Sequence, residues 1–422
     1  MHRQHLIHCS GRGHYRPGRP TLIITNHRRD TDGPLVATML LARKGLRFTG
    51  PLPHFVARED LMRPGFLRRY MTSWPDWIRT LVGWFSLARF VRAMNVHPMR
   101  RFSEQTLGEV LDDVYQTFGD LPLDEVLKPA WVARFRRMSP REDGPHRVRE
   151  ARSRRYWSVL ESPYGLRRLN LSFFRRLKPY ERQTVVAQIG EVAQQLQQGQ
   201  PVHFVPEGAI SPDGRSGRFR EGTHRLLKAG GPDLAVLPLG ILYDDVTLQQ
   251  PRIFLVMGEE LHGVRGRDRA ESERELREAL SARQVLTLSQ VASALLLDRA
   301  APERNVTAAE LDCQVAGQAE TLQALGSPLD PLLEESARRR DRLEGFLGFC
   351  LRYNLMVAEG GGYRLRPEGV GQPDPWSPAG RLRYAANEFA ELAAFWGHPD
   401  FRSASPRGSR PGDSMTAIAP HA

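Results

Sequence analysis

The run Pro20-Thr21-Leu22-Ile23-Ile24-Thr25, β-branched, apolar and stopped by Asn26, constrains the fold more than any other stretch of the chain. It reads as a buried strand, and the polar turn and apolar spacing behind it predict a helix over Leu35 to Arg43. The pattern returns at Pro53 to Ala57, Val202 to Val205, Leu234 to Leu239 and Ile253 to Met257. Strands separated by helical stretches imply an α/β fold with a mixed, partly parallel sheet flanked by helices. From about Arg265 the pattern turns nearly all helical, with heptad-like apolar positions through Leu286 to Leu297 and Leu343 to Leu355, which predicts a smaller helical domain. A chain of 422 residues has room for both. The expected organisation is a first domain over 1–265 with a basic insertion at about 103–185, a helical domain over 266–400, and a disordered tail over 401–422 rich in Ser, Pro, Gly and Arg.

The formal charge of +12 is local: Trp131 to Arg182 holds fourteen Arg and Lys178 against five acids. Such a patch suits an anionic bilayer surface, nucleic acid, or an acidic substrate or carrier protein, and it is equally compatible with a solvated surface insertion. Only four of the sixty basic residues are Lys, a skew that a GC-rich genome produces by itself, so the Arg preference carries no argument. Cys9, Cys313 and Cys350 are too scattered for a disulfide framework or a metal site and fit a reducing compartment. No window approaches the ~20 apolar residues of a spanning helix, so any membrane contact is expected to be peripheral. Trp74 to Met99 is aromatic and basic; it fits a membrane interface and packing against the sheet equally well.

Two polar clusters sit at strand ends. In Asn26-His27-Arg28-Arg29-Asp30-Thr31-Asp32, a His and an Asp lie five residues apart directly after the first strand. If the turn brings the Asp32 carboxylate to one ring nitrogen of His27, the other nitrogen is left to take a hydroxyl proton. The alternative is a capping Asp beside a surface His. The second cluster, Val205-Pro206-Glu207-Gly208-Ala209-Ile210-Ser211-Pro212-Asp213-Gly214, precedes Arg218, Arg220 and Gly222. It can aim a carboxylate and backbone amides at a polar ligand, or be an ordinary turn.

In their order these blocks resemble the phospholipid/glycerol acyltransferase family, which includes lysophosphatidate and glycerol-3-phosphate acyltransferases. The family's Asn-His-x4-Asp block is similar to Asn26 to Asp32, and its second block to Phe55-Val56-Ala57-Arg58-Glu59. A third block ending in Arg is loosely similar to Val96-His97-Pro98-Met99-Arg100. The Phe-Pro-Glu-Gly-Thr-Arg-Ser block resembles Val205 to Ser211, followed by Phe219-Arg220-Glu221-Gly222 and the strand Val236-Leu237-Pro238-Leu239. The resemblance covers about residues 15–265, and Leu288 to Leu297 with Leu382 to Asn387 is similar to the region after the catalytic domain in glycerol-3-phosphate acyltransferases.

The resemblance implies the glycerolipid acyltransferase fold and transfer of a fatty acyl group from acyl-CoA or acyl-carrier protein to a glycerol hydroxyl, with no metal or redox cofactor. It implies His27 as general base, Asp32 as its orienting partner, Arg58 as a phosphate contact, and Glu207 with Gly208 in the acceptor site. Asn26, Arg100, Arg218 and Arg220 are further candidate substrate contacts. The implied partners are a glycerolipid acceptor and an anionic membrane surface, with the enzyme peripheral on the inner face of the cell membrane. One departure matters: Ala209-Ile210 stands where the family has Thr-Arg, so a cation near the acceptor phosphate is missing. Arg215, Arg218 or Arg220 replaces it, or the acceptor carries no phosphate. A basic, non-catalytic nucleic-acid- or lipid-binding protein is the alternative from another class; it lacks a zinc knuckle, an aromatic RNA-binding signature and a helix-turn-helix, and no nucleic acid is expected.

Overall fold

The computed structural model describes residues 5–41, 52–62, 74–75, 77–78, 88–138, 144–163, 165–298, 305–366 and 370–398. They form two compact units, one of Met1–Gly50, His203–Lys228 and Leu234–Ala422, the other of Pro51–Val202 and Ala229–Asp233.

In the first unit the strands run β1 (Leu6–Ser10), β7 (Arg252–Met257), β6 (Ala235–Asp244) and β2 (Thr21–Thr25) across a mixed sheet, with His203 and Phe204 of β5 (Pro201–Phe204) also in this unit. β2 pairs parallel with β6, Thr21 opposite Ala235 and Thr25 opposite Leu239, and all five of its residues are buried. Burial on both faces is why this strand is a continuous apolar run rather than an alternating one. β6 and β7 are antiparallel, and β1 lies parallel to β7 at the edge, exposed throughout. An exposed edge strand buries no stripe, so the pattern behind the other strands does not announce this one.

The helices Leu288–Asp298, Ala308–Ala324, Ser336–Arg352 and Pro378–Phe395 close around Val291, Val315, Phe346 and Phe389. The helix Ala308–Ala324 starts in a capping box of Thr307 and Glu310, which satisfies two otherwise orphaned amides. The expected boundary near Arg265 falls inside this unit. Asp244, at the end of β6, accepts from Arg252 at 2.7 Å and Arg342 at 2.6 Å and from Ser289, while Arg252 also donates to Asp330 at 2.9 Å. All four charged groups are nearly inaccessible to water. Removing one member of such a network strands a buried charge, at roughly 3–5 kcal/mol. A short antiparallel hairpin, β8 (Met356–Glu359) with β9 (Gly362–Leu365), interrupts the expected all-helical segment.

The second unit contains the parallel pair β3 (His54–Arg58) and β4 (Val96–Met99) and the basic insertion. The insertion is helical around a core of its own, with Leu107, Leu111, Phe135, Tyr156, Phe173 and Leu177. Its arginines therefore ride on a packed scaffold. The long helix Leu171–Gln197 carries Pro179 within it. Of the aromatic segment from Trp74 to Met99, Trp74 and Trp77 are exposed, while Trp84 and Phe85 lie outside the described residues, as does the tail over 401–422. No helix among the described residues is long and apolar enough to cross a membrane.

Glu181, in the helix Leu171–Gln197, is buried with Oε1 lacking a hydrogen-bond partner. Burial and then the Asp113 carboxylate push its carboxyl up to about 7, against Arg100 and Lys178. A folded-state value above the ordinary carboxylate range means that its contribution to stability is full at acid pH and is lost as pH rises through about 7. Glu181→Gln keeps the neutral form. It should match the wild type near pH 4.5 and exceed it by about 1 kcal/mol at pH 8, allowing for solvent screening, in urea denaturation at the two pH values.

Candidate active site

The site is built where β2 ends. Asn26 is buried, and its side chain grips the backbone of β6: Nδ2 donates to the Ile241 carbonyl and Oδ1 accepts from the Ile241 amide, both at 2.8 Å. A residue with one donor and one acceptor at this spacing replaces the next rung of the parallel ladder, so the chain leaves the sheet at a fixed point. Both polar atoms of the Asn26 side chain are thus engaged with β6.

The next turn carries the His and the Asp. Asp32 opens the helix Asp32–Leu41 and is wholly buried. Its Oδ2 accepts from His27 Nδ1 at 2.9 Å and from the amides of Arg28 and Arg29 at 2.7 and 3.0 Å. Its Oδ1 accepts from the Tyr243 hydroxyl at 2.7 Å. A buried carboxylate with four donors stays put. Held through Nδ1, the imidazole has Nε2 left for a proton, and its side chain keeps 17% exposure. No other hydrogen bond reaches the His27 ring among the described residues. Beneath it, His203 meets Thr25 Oγ1 at 2.9 Å, and burial lowers its value to about 4, so it is neutral at neutral pH.

The Pro-Glu-Gly turn lies in the same unit and is tied to the dyad through backbone, the Ser211 amide donating to the His27 carbonyl at 3.2 Å. Gly208 has φ +69, a left-handed conformation that favours Gly at the sharpest point of the turn. Glu207 faces inward. Only 6% exposed, it accepts from the Gly217 amide and lies near Arg28; burial raises its carboxyl despite that cation. Its visible work is to hold the loop rather than to meet solvent. Arg220 lies over Gly208, with Nε donating to the Glu207 carbonyl at 3.2 Å. Arg218 and Arg220 are both exposed, and neither has a carboxylate partner among the described residues.

Arg58 and Arg100 belong to the second unit. Arg100 is taken up by Glu59, at 2.5 and 2.7 Å, and by Asp113 at 3.1 Å; Arg58 pairs with Glu104 at 3.4 Å.

Three contributors escape a linear reading. Tyr243 sits on β6, more than two hundred residues from Asp32, and meets it because β2 and β6 are neighbours. Arg28 is buried, donating to the Gly214 carbonyl at 2.8 Å and Gln284 at 3.0 Å, with Glu388 at 3.2 Å. Burial opposes its charge, but Glu388 and the other acids outweigh it and hold the guanidinium protonated. Glu388 comes from the helix Pro378–Phe395, and burial pushes its carboxyl up to about 7 against the pull of Arg28. That helix also supplies Asn387 to the Asp213 carbonyl at 2.8 Å and Glu391 to the Ser216 amide at 2.7 Å.

Among the described residues no group of three or more His, Cys, Asp or Glu is placed to hold a metal ion. Burial and the neighbouring Asp32 carboxylate raise the Tyr243 phenol far enough that it remains a donor across the working pH range. Tyr243→Phe should therefore cost about 1–3 kcal/mol in chemical denaturation, since Asp32 Oδ1 then loses its donor inside the protein. Thr31→Val, which removes only an exposed 3.0 Å contact to the same phenol, should stay within about 0.5 kcal/mol of the wild type.

No protein-family model matches the chain, and no curated protein matches it. Among solved structures, it is similar to the crystal structure of the 1-acyl-sn-glycerophosphate (LPA) acyltransferase PlsC from Thermotoga maritima. That match has 13% sequence identity and a TM-score of 0.33 and covers 65% of this chain and 69% of that one.

Proposed function

We propose that the protein is a glycerolipid O-acyltransferase in which His27 is the general base and Asp32 its orienting partner. The observation that carries this reading is the His27 ring held through Nδ1 by a four-times-bonded carboxylate, with Nε2 uncommitted. The ordered blocks from Asn26 to Leu239, which resemble the phospholipid/glycerol acyltransferases, supply the reaction class.

In the proposed reaction a glycerol hydroxyl gives its proton to His27 Nε2 as its oxygen attacks the carbonyl carbon of acyl-CoA or acyl-carrier protein. The new C–O bond places negative charge on the carbonyl oxygen, which requires nearby donors such as backbone amides or an Arg. The C–S bond then breaks, the acyl ester is released, and the departing thiolate takes the proton from the imidazolium. The Asp32 carboxylate lowers the cost of the transient charge on His27 and keeps the ring in one tautomer.

For the acceptor we propose glycerol 3-phosphate or its 1-acyl form. Ile210 removes the cation that the family carries there, but Arg218 and Arg220 follow within the same loop, exposed and without carboxylate partners among the described residues. A non-phosphorylated acceptor is the second reading, favoured by Ile210 itself. An enzyme of this kind meets its lipid acceptor at an anionic bilayer face, and we propose that it is peripheral on the inner side of the cell membrane.

His27→Ala should leave the fold intact by circular dichroism and lower acyl transfer from labelled acyl-CoA, or from acyl-carrier protein, by about a hundredfold or more. Arg218→Gln with Arg220→Gln should raise KM for phosphorylated acceptors and leave an uncharged monoacylglycerol unaffected. Transfer indifferent to His27→Ala would sink the catalytic assignment; equal use of charged and uncharged acceptors by the wild type would select the second reading.

A further inference from the structure

We infer that Arg134 and Arg168, which share the indole of Trp131 in the second unit, form with the neighbouring charge of Arg167 a binding site for a phosphate group. This inference does not rest on the activity proposed above.

Trp131 lies in the first turn of the helix Pro129–Arg137, and Arg134 follows it by one turn, its guanidinium carbon 5.1 Å from the ring centroid. Arg168 approaches the same ring at 4.1 Å from a separate segment. That approach is enforced by backbone. The Lys128 amide donates to the Arg168 carbonyl at 2.9 Å and the Asn170 amide to the Val126 carbonyl at 2.9 Å. The Asn170 side chain donates to the carbonyls of Asp124 at 2.7 Å and Glu125 at 3.0 Å. The two segments are laced together, so the backbone sets Arg168 beside Trp131 and Arg134.

Three acids of this unit are engaged elsewhere. Asp120 serves Arg147, Asp112 serves Arg152, and Glu125 reaches Arg176 at 3.5 Å. Neither Arg134 nor Arg168 has a carboxylate partner among the described residues. Arg168 Nε is buried with no hydrogen-bond acceptor. Burial, followed by the charges of Arg134 and Arg167, lowers Arg168, and no acid contributes in the opposite direction. Arg134 and Arg168 are like charges on one ring, neither with a carboxylate partner among the described residues, which is unfavourable; a multivalent oxyanion between them removes the repulsion and supplies the acceptor that Arg168 Nε lacks. Indole beneath two guanidiniums holds them by cation–π contact while their N–H edges remain free for oxygen. Phosphate matches this donor set. It is offered either by a phosphomonoester lipid headgroup or by a soluble phosphate.

The test uses the full chain with two probes: inorganic phosphate, followed by calorimetry, and phosphatidylcholine vesicles with and without phosphatidate, followed by flotation. The variants are Arg134→Gln alone, Arg134→Gln with Arg168→Gln, and as a charge-matched control Arg147→Gln with Arg176→Gln, whose arginines already have acids. We expect the wild type to bind at least one probe. The double variant should lose about tenfold in affinity, the exposed Arg134→Gln a smaller part of that, and the control less than about twofold. Binding of inorganic phosphate assigns the soluble source, and binding confined to phosphatidate vesicles assigns the headgroup. No binding of either probe by the wild type, or an equal loss in the control and double variants, overturns the site.

Discussion

The two hydrogen bonds between the Asn26 side chain and the Ile241 backbone decide where β2 ends, and the first unit's chemistry follows from that position. Parallel strands align their carboxyl ends, and the residues just beyond them are the ones an α/β sheet leaves free for function. With β2 stopped at Asn26, His27 is the first side chain past the sheet and Asp32 opens the following helix. The turn between them is tight enough for one carboxylate oxygen to accept from the ring and from two consecutive amides.

Below the turn lies a buried charge that the fold has to accommodate. Arg28 is sealed from water and is neutralised chiefly by Glu388, with Gly214 and Gln284 taking further donors. A pair of this kind adds little stability compared with an apolar filling, but breaking it is expensive. Its consequence is registry: the loop carrying Glu207 and Ser211 and the helix carrying Tyr384, Glu388 and Glu391 are both fixed against the residue next to His27. Gly214 shows how close the approach is, since a side chain there would run into the Tyr384 carbonyl. The C-terminal helices are therefore part of the architecture around the dyad, a relation reinforced at the same end of β6, one residue past Tyr243, by Asp244, Arg252, Arg342 and Asp330.

Sequence legibility follows the range of the interaction. β2, β5, β6 and β7 are readable because burial writes a local apolar run, and the contact between His27 and Asp32 is within reach because five residues of turn determine it. The helix after β2 begins at Asp32 rather than Leu35, the Leu35 amide already donating to the Thr31 carbonyl. What depends on pairing between distant strands is not readable: Tyr243 reaches Asp32 only through the neighbouring of β2 and β6, and Glu388 reaches Arg28 from the far end of the chain. Motif position does not reveal which way a side chain faces. Asn26 and Glu207 sit in the expected blocks but are turned into the protein, where their hydrogen bonds shape the backbone.

The loop after β5 brings these threads together. Its inward face is occupied by Glu207, Ser211 and Gly214, all engaged with backbone or with the residues around Arg28, so what the loop offers to a ligand is what faces out. On that side Ile210 contributes an apolar surface, while Arg218 and Arg220 contribute charge from a position later in the chain. Moving a cation along a loop preserves the attraction for a phosphate but alters its direction, because a guanidinium binds through a planar fork and not as a point. In the proposed reaction, an acceptor gripped from a new angle would bring a different part of its glycerol backbone to His27 Nε2. Under the proposed reaction, Ile210 thus bears on which hydroxyl would reach His27 more directly than on whether a proton can be removed from it.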